Sequence, residues 1–312
     1  MRIRDKIKKP QRPFVAYEIL PPREKDGTLN SYAETISSLL SQTHIDAINI
    51  PEVHDEIGRG DRPISNQDRG EPRKFGMLLQ DIVGIEAIVN RVVVHMPFNK
   101  QMKWLEDTYA KYEIDNMIIV GGESSKQKYP GPTVNDTLYA ISNEFNNNIG
   151  SIFCGGICIP SRDKESKNLI KKSKSGAEFF TTQVLCDSDN IIKMIKNYQN
   201  RCNAIGTFPR RILLSFAPVS NQKNIDFLKW LGVEIPGDTE KYLNGRPGSM
   251  TERSLDVAIE VLNEILDYIS NNNLKVPVGL NVEHIMSYNF QSSVEMLQEL
   301  AKIYREFCIK SQ

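Results

Sequence analysis

Eight groups of polar or small residues stand where an apolar run of this chain ends, and their types suit acid–base and binding chemistry better than sheet packing. They are Glu18; Asn49 and Glu52; His95; Gly121, Gly122 and Glu123; Arg162 and Asp163; Gln183 and Asp187; Ser220 and Asn221; and Glu283 and His284. A carboxyl group in a partly desolvated setting keeps its proton toward neutrality and can act as a general acid. An amide presents a donor and an acceptor together, and so can read a ring edge that carries both. Gln183, within GAEFFTTQVLCDSDN, is the odd one. A central strand seldom holds a large amide, so Gln183 is either tied to neighbouring backbone or directed at a ligand.

Each residue also has a plainer reading. Glu18, just before Pro21 and Pro22, suits a strand-end carboxylate paired with an arginine, and His95 in its apolar run suits a hydrogen-bonded core residue. Asp187 and Asp189 suit helix caps. The pair Gly121 and Gly122 either permits a tight turn or lets backbone approach a ligand closely. What lifts the set above these readings is convergence, because several ionisable and amide groups arriving from distant parts of the chain are what a shared pocket needs.

The elements that must position them alternate. Apolar, β-branched runs near 14–20, 47–53, 91–97, 116–122, 151–160, 179–187, 211–219 and 276–284 read as strands. Helical periods lie between several of them, in LNSYAETISSLLSQ, TVNDTLYAISNEF, NIIKMIKNYQNRC and SLDVAIEVLNEILDYI, and SSVEMLQELAKIYREF follows the last. In SLDVAIEVLNEILDYI the residues Leu255, Ala258, Ile259, Leu262, Ile265, Leu266 and Ile269 form one apolar stripe. Eight such units predict a single closed (β/α)₈ TIM barrel over residues 1–312, with the polar groups on one rim at the C-terminal ends of the strands. An open doubly wound sheet is the alternative, weakened because no GxGxxG follows the first strand.

Composition narrows the class of function. Lys+Arg and Asp+Glu are both 39, so no net field draws the chain to nucleic acid or to an anionic membrane. There is no run of 18 apolar residues and no apolar signal core, which predicts a cytoplasmic protein. The five cysteines include no CxxC pair and predict neither a disulfide framework nor a metal site; Cys154 and Cys158 read as small buried hydrophobes. The opening RIRDKIKK reads as a solvated terminus, and the polar stretch 54–74 as a loop.

The order of motifs resembles the 5,10-methylenetetrahydrofolate reductase family: EILPPR (18–23), HMPF (95–98), IVGGES (119–124), KKSKSGAEFFTTQ (171–183) and APVSN (217–221) with IP at 235–236. The resemblance spans nearly the whole chain, and the acidic residue before two prolines and the GA-x(4)-TQ segment are its specific parts. It implies a TIM barrel that acts in one-carbon metabolism, with Glu18 as the folate-side general acid and Gln183 as the amide on the pterin. Glu123 stands where the family places an acidic residue, normally Asp, near flavin and folate, and Lys172 resembles a lysine that meets the cofactor's phosphates. The family usually carries FAD, but the Tyr and His of its flavoenzymes after the fifth strand are replaced in ICIPSRD, where Ile159 and Asp163 stand. IPSRD, TTQVLCDSD and ILLSF resemble instead the flavin-independent branch of mycobacterial type, in which NAD(P)H hands hydride directly to the folate.

The site expected from these readings has Glu18 as the acid, with Gln183, Glu123, Ser220, Asn221 and Glu283 on the substrate and His95, Gly121, Gly122, Arg162 and Lys172 on the cofactor. Arg23, Arg162 and Lys172 are the basic candidates for a folate tail or for phosphates. A homo-oligomer or a redox partner subunit is compatible with this. Two other functions compete: a folate-binding barrel that serves a partner methyltransferase or redox subunit, and a barrel of unrelated chemistry. For the latter, no lysine stands at an interior strand end as an aldolase needs, and only His95 and His284 would serve a metal hydrolase.

Overall fold

A computed structural model describes residues 1–312 except 42, 55–59, 65–68, 123–126 and 311–312. Eight parallel strands close into a barrel in chain order: Val15–Ile19 (β1), Ala47–Ile50 (β2), Ala87–Val92 (β3), Asn116–Val120 (β4), Phe153–Cys158 (β5), Phe179–Val184 (β6), Arg211–Phe216 (β7) and Val278–His284 (β8). Closure is made by β1 pairing with β8, where Ala16 lies beside Asn281 and Glu18 beside Glu283. The helices are Ile3–Ile7 (α1), Leu29–Leu40 (α2), Pro72–Val83 (α3), Phe98–Tyr112 (α4), Val134–Ala140 (α5), Asn146–Asn148 (α6) and Glu165–Lys174 (α7). Asp189–Ala204 (α8), Gln222–Trp230 (α9), Gly237–Leu243 (α10), Met250–Asn271 (α11) and Phe290–Lys310 (α12) follow.

Local chemistry sets the boundaries. Thr28 accepts the Ser31 N–H to start α2, Ser249 and Glu252 form a capping box at α11, and Gly84 closes α3 in the left-handed conformation. Along each strand alternate residues face opposite sides. Val15, Tyr17, Ile48, Val89, Met117, Cys154, Cys158, Ile212 and Leu280 pack outward with the helices, so the two cysteines are the small buried hydrophobes expected of them. In α11, Ala258, Leu262, Ile265, Leu266 and Ile269 of the predicted stripe are buried.

Two expectations are corrected. The third strand is Ala87–Val92 rather than 91–97, and Val93–His95 form a 3₁₀ turn beyond it. In AIVNRVVVH the β-branched run Val92–Val94 crosses the strand's end, so composition alone does not mark it; Glu52, which accepts the Val92 N–H at 2.8 Å, does. The opening RIRDKIKK is not a solvated terminus. It forms α1, whose Ile3 and Ile7 lie on one face and plug the barrel floor against Phe14, Ala16, Ala47, Ile88, Ile118, Phe153, Phe179 and Leu213. The plug is held from inside by Arg211, a buried guanidinium that donates to the carbonyls of Ile7 (3.1 Å), Lys9 (2.6 Å) and Pro10 (3.3 Å) and to the Tyr304 hydroxyl (3.2 Å). Within the barrel Phe179 stacks on Phe153 at 5.4 Å, and a Cβ on Gly155 would overlap its ring. With floor and middle filled by hydrocarbon, only the far end of the barrel is open to polar chemistry.

Candidate active site

The inward positions at that far end are polar on strand after strand. Glu18 comes from β1, Asn49 from β2, Asn90 from β3, Thr181 and Gln183 from β6, Ser215 from β7, and Asn281 and Glu283 from β8. They form a connected layer. Asn49 Nδ2 donates to Glu18 Oε2 at 2.6 Å, and Asn281 Nδ2 donates to Ser215 Oγ at 3.0 Å and Glu283 Oε1 at 3.3 Å. The hydroxyls of Ser215 and Thr181 are 3.2 Å apart. The Oδ1 atoms of Asn49 and Asn90 are buried without a hydrogen-bond partner. A buried acceptor of that kind is costly unless something else supplies a donor.

A cavity of about 340 Å³ opens above this layer, lined by Glu18, Asn90, Gln183, Glu283, Glu52, Lys172, Arg162, Gly121 and Gly122, with Ile119, Ile157, Leu231 and Val233 among its apolar walls. Burial lifts the Glu18 carboxyl from 4.5 to about 7, although hydrogen bonds from Asn281 and Asn90 work against the rise. Glu283 is raised well above the ordinary range, first by burial and then by the Glu18 charge beside it, against the pull of Ser215 and Asn281. Glu52 behaves in the opposite way. Burial would raise it, but the His54 ring at 3.2 Å, the Arg91 guanidinium and the Val92 N–H hold it below the usual range, so it is a fixed anion. One mouth therefore contains two carboxyls that hold protons and one that does not.

Gln183 meets both expectations of its amide. Its Nε2 donates to the Leu231 carbonyl at 3.1 Å, so backbone does hold the amide, and the side chain also lines the cavity. Lys172 is buried at the cavity wall, where its ammonium meets the Ile157 carbonyl and Glu165 at 3.4 Å. Arg162 lies near the same Glu165 at 3.6 Å and is about half-exposed. Gly122 makes room for a ring of the protein itself, since a Cβ there would overlap Tyr129.

Other sequence candidates lie elsewhere. His95 stands beyond β3 on the exposed surface, outside the cavity, its ring 4.9 Å from His54 and 5.6 Å from Tyr129. Ser220 and Asn221 also miss the cavity, because both serve the start of α9: Ser220 Oγ bonds Asn224 Oδ1 at 3.0 Å and Asn221 accepts the Asn224 N–H at 3.1 Å. Arg23 is spent on a two-pronged bond to Asp26 at 2.8 Å, which holds that carboxyl down at about 2. His284 points the other way from Glu283 and is buried against Phe290 at 5.2 Å. Glu123 lies outside the described residues. Sequence reasoning missed Asn90 and Asn281 because single asparagines inside apolar runs look like strand boundaries; their spacing of two from Val92 and Glu283 was the available signal. Among the described residues no group of three or more His, Cys, Asp or Glu is placed to hold a metal. None of the described helices is long and apolar enough to cross a membrane.

Residues 2–300 match the sequence profile described as methylenetetrahydrofolate reductase. The chain belongs to the methylenetetrahydrofolate reductase family. No curated protein matches it. Its fold is shared with a protein from Clostridium thermocellum whose structure is described as binding two copies of 5-methyl-5,6,7,8-tetrahydrofolic acid. That similarity has a TM-score of 0.76 and 18% identity over 96% of this chain and 99% of that one. A 2,3-dimethylmalate lyase of the PEP mutase/isocitrate lyase superfamily aligns over 97% of both chains with 12% identity and a TM-score of 0.45. For a member of the reductase family, the polar layer at the barrel mouth is where ligand-binding chemistry belongs.

Proposed function

We propose that this protein reduces 5,10-methylenetetrahydrofolate to 5-methyltetrahydrofolate with hydride from NAD(P)H. The observation that carries the reading is Glu18, a carboxyl still half protonated at neutral pH, in one cavity with the Gln183 amide, in a chain of this family. The substrate's methylene bridges two nitrogens and accepts hydride only as an iminium, so one carbon–nitrogen bond must open and the departing nitrogen needs a proton. Glu18 supplies it, and the carboxylate left behind is stabilised by the Asn49 N–H. Gln183 orients the pterin through the amide oxygen that Leu231 leaves free.

FAD, the usual cofactor of the family, fits poorly. The Tyr and His that the family's flavoenzymes carry after the fifth strand are replaced in ICIPSRD, where Ile159 and Asp163 stand. Lys172, the candidate for its phosphates, is engaged by Glu165 and Ile157. Hydride therefore passes directly from nicotinamide to folate, as in the flavin-independent branch. A second reading, a barrel that holds methylated folate for a partner protein, is favoured by the Clostridium thermocellum neighbour, which binds that product form. One experiment separates them: purified, colourless protein should oxidise NADH or NADPH only when methylenetetrahydrofolate is added. Tight binding of 5-methyltetrahydrofolate without any nicotinamide oxidation would overturn the reductase reading.

A further inference from the structure

We propose that Glu18 and Glu283 act as one proton-holding pair, in which Glu283 keeps a proton beside Glu18 through the working pH range and positions Glu18 to donate its own. The proposal deepens, and rests on, the reductase reading above. Its basis is geometric. The two residues are register partners on β1 and β8, which places their backbones about 4.8 Å apart, and both line the same cavity. The groups that hydrogen-bond them are neutral: Asn49 of β2, Asn90 of β3, Ser215 of β7 and, on β8 itself, Asn281.

The charged groups of the cavity are committed elsewhere. Glu52 is paired with Arg91 and His54, and Lys172 and Arg162 flank Glu165. Among the described residues no cation pairs with Glu18 or Glu283, so these two adjacent, largely buried carboxyls avoid double ionisation by retaining a proton. The direction in which Glu283 is displaced, with Glu18 among its causes, agrees with this.

In the reaction, the bond between the methylene carbon and the departing nitrogen breaks with its electron pair going to nitrogen, which takes the proton of Glu18. NAD(P)H delivers hydride to the carbon of the iminium and becomes NAD(P)⁺. The new Glu18 carboxylate then shares the proton of Glu283, and one proton from water restores the starting state. In the singly ionised pair the proton spends part of its time on Glu18, so the acid is never wholly lost while one proton remains.

The test is the pH profile of kcat/KM in the parent and in Glu283→Gln, with folding checked by circular dichroism. Above pH 7 the parent should fall to a reduced plateau, because the singly ionised pair still offers a proton. Glu283→Gln should fall about tenfold per pH unit without a plateau. Identical alkaline limbs would overturn the proposal. Infrared titration of the parent labelled with ¹³C-carboxyl glutamate reads the pair without any activity and without any variant. A protonated-carboxyl band should survive well above pH 7, and loss of every such band in one step near 7 would equally refute the pair. If the band survives but the parent oxidises no NAD(P)H, the reductase reading fails while the pair stands.

Discussion

Glu18→Gln separates what one buried carboxyl does for chemistry from what it does to the fold. The native state lifts this group from 4.5 to about 7, a difference of 7 − 4.5 = 2.5 in pKa. At about 1.4 kcal/mol per pH unit, that is about 3 kcal/mol of stability lost. Below pH 4.5 the group is protonated whether the chain is folded or not, and it contributes nothing. As pH rises from 4.5 to 7 the unfolded chain releases a proton that the native state retains, so stability falls, and above 7 the loss is complete. Glutamine never ionises and still offers an oxygen to the Asn49 N–H, which in the parent meets Glu18 at 2.6 Å. The variant should therefore match the parent near pH 4 and exceed it by about 3 kcal/mol near pH 8, read from urea midpoints at constant slope. Turnover should drop on the order of 10² to 10⁴, the range for loss of a general acid. A stability advantage that does not grow between the two pH values would refute the burial argument. Near-parental turnover would refute the acid.

Gln183→Ala should weaken binding of 5-methyltetrahydrofolate by roughly tenfold, as expected for about one net hydrogen bond, measured by calorimetry; unchanged affinity counts against the pterin contact. His284 is held near 4 by burial and by Arg69 and Arg23, despite the Ser287 hydrogen bond and Asp26. It stays neutral in the fold while the unfolded chain takes a proton below about 6.5, so stability declines as pH drops from 6.5 toward 4. His284→Phe should flatten that decline in acid denaturation curves, and an unchanged acid limb would exclude His284 as its source. Removal of residues 1–9 should lower stability by about 3–5 kcal/mol, because Arg211 then stays buried without the Ile7 and Lys9 carbonyls and the apolar floor is uncovered. An unshifted denaturant midpoint would show the plug to be dispensable.

Much of this was legible from residue order. Strands buried on both sides read as apolar runs, and eight of them with intervening helical periods leave few topologies other than the closed barrel. Glu18, Gln183 and Glu283 share one mouth because strand-end position is a property of sequence as much as of space. What escaped depends on which side of a strand faces in. Asn221 and Gln183 look alike as amides beyond apolar runs, yet one caps a helix and the other lines the cavity. Glu283 and His284 are neighbours that the pleat sends to opposite faces. The floor escaped for a different reason: the six charges among the eight residues of RIRDKIKK hide two isoleucines that matter only once a barrel exists to receive them.

The guanidinium that seals the floor also constrains the order in which the chain can finish. Arg211 lies 204 residues after its partner Ile7, and Tyr304 comes 93 residues later still. At the usual pace of synthesis, about 5–20 residues per second, the first helix leaves the ribosome roughly 10–40 seconds before its anchor exists. Its two isoleucines must wait in solvent through that interval, and the small count of apolar residues in that segment keeps the waiting stretch from being a hazard for aggregation.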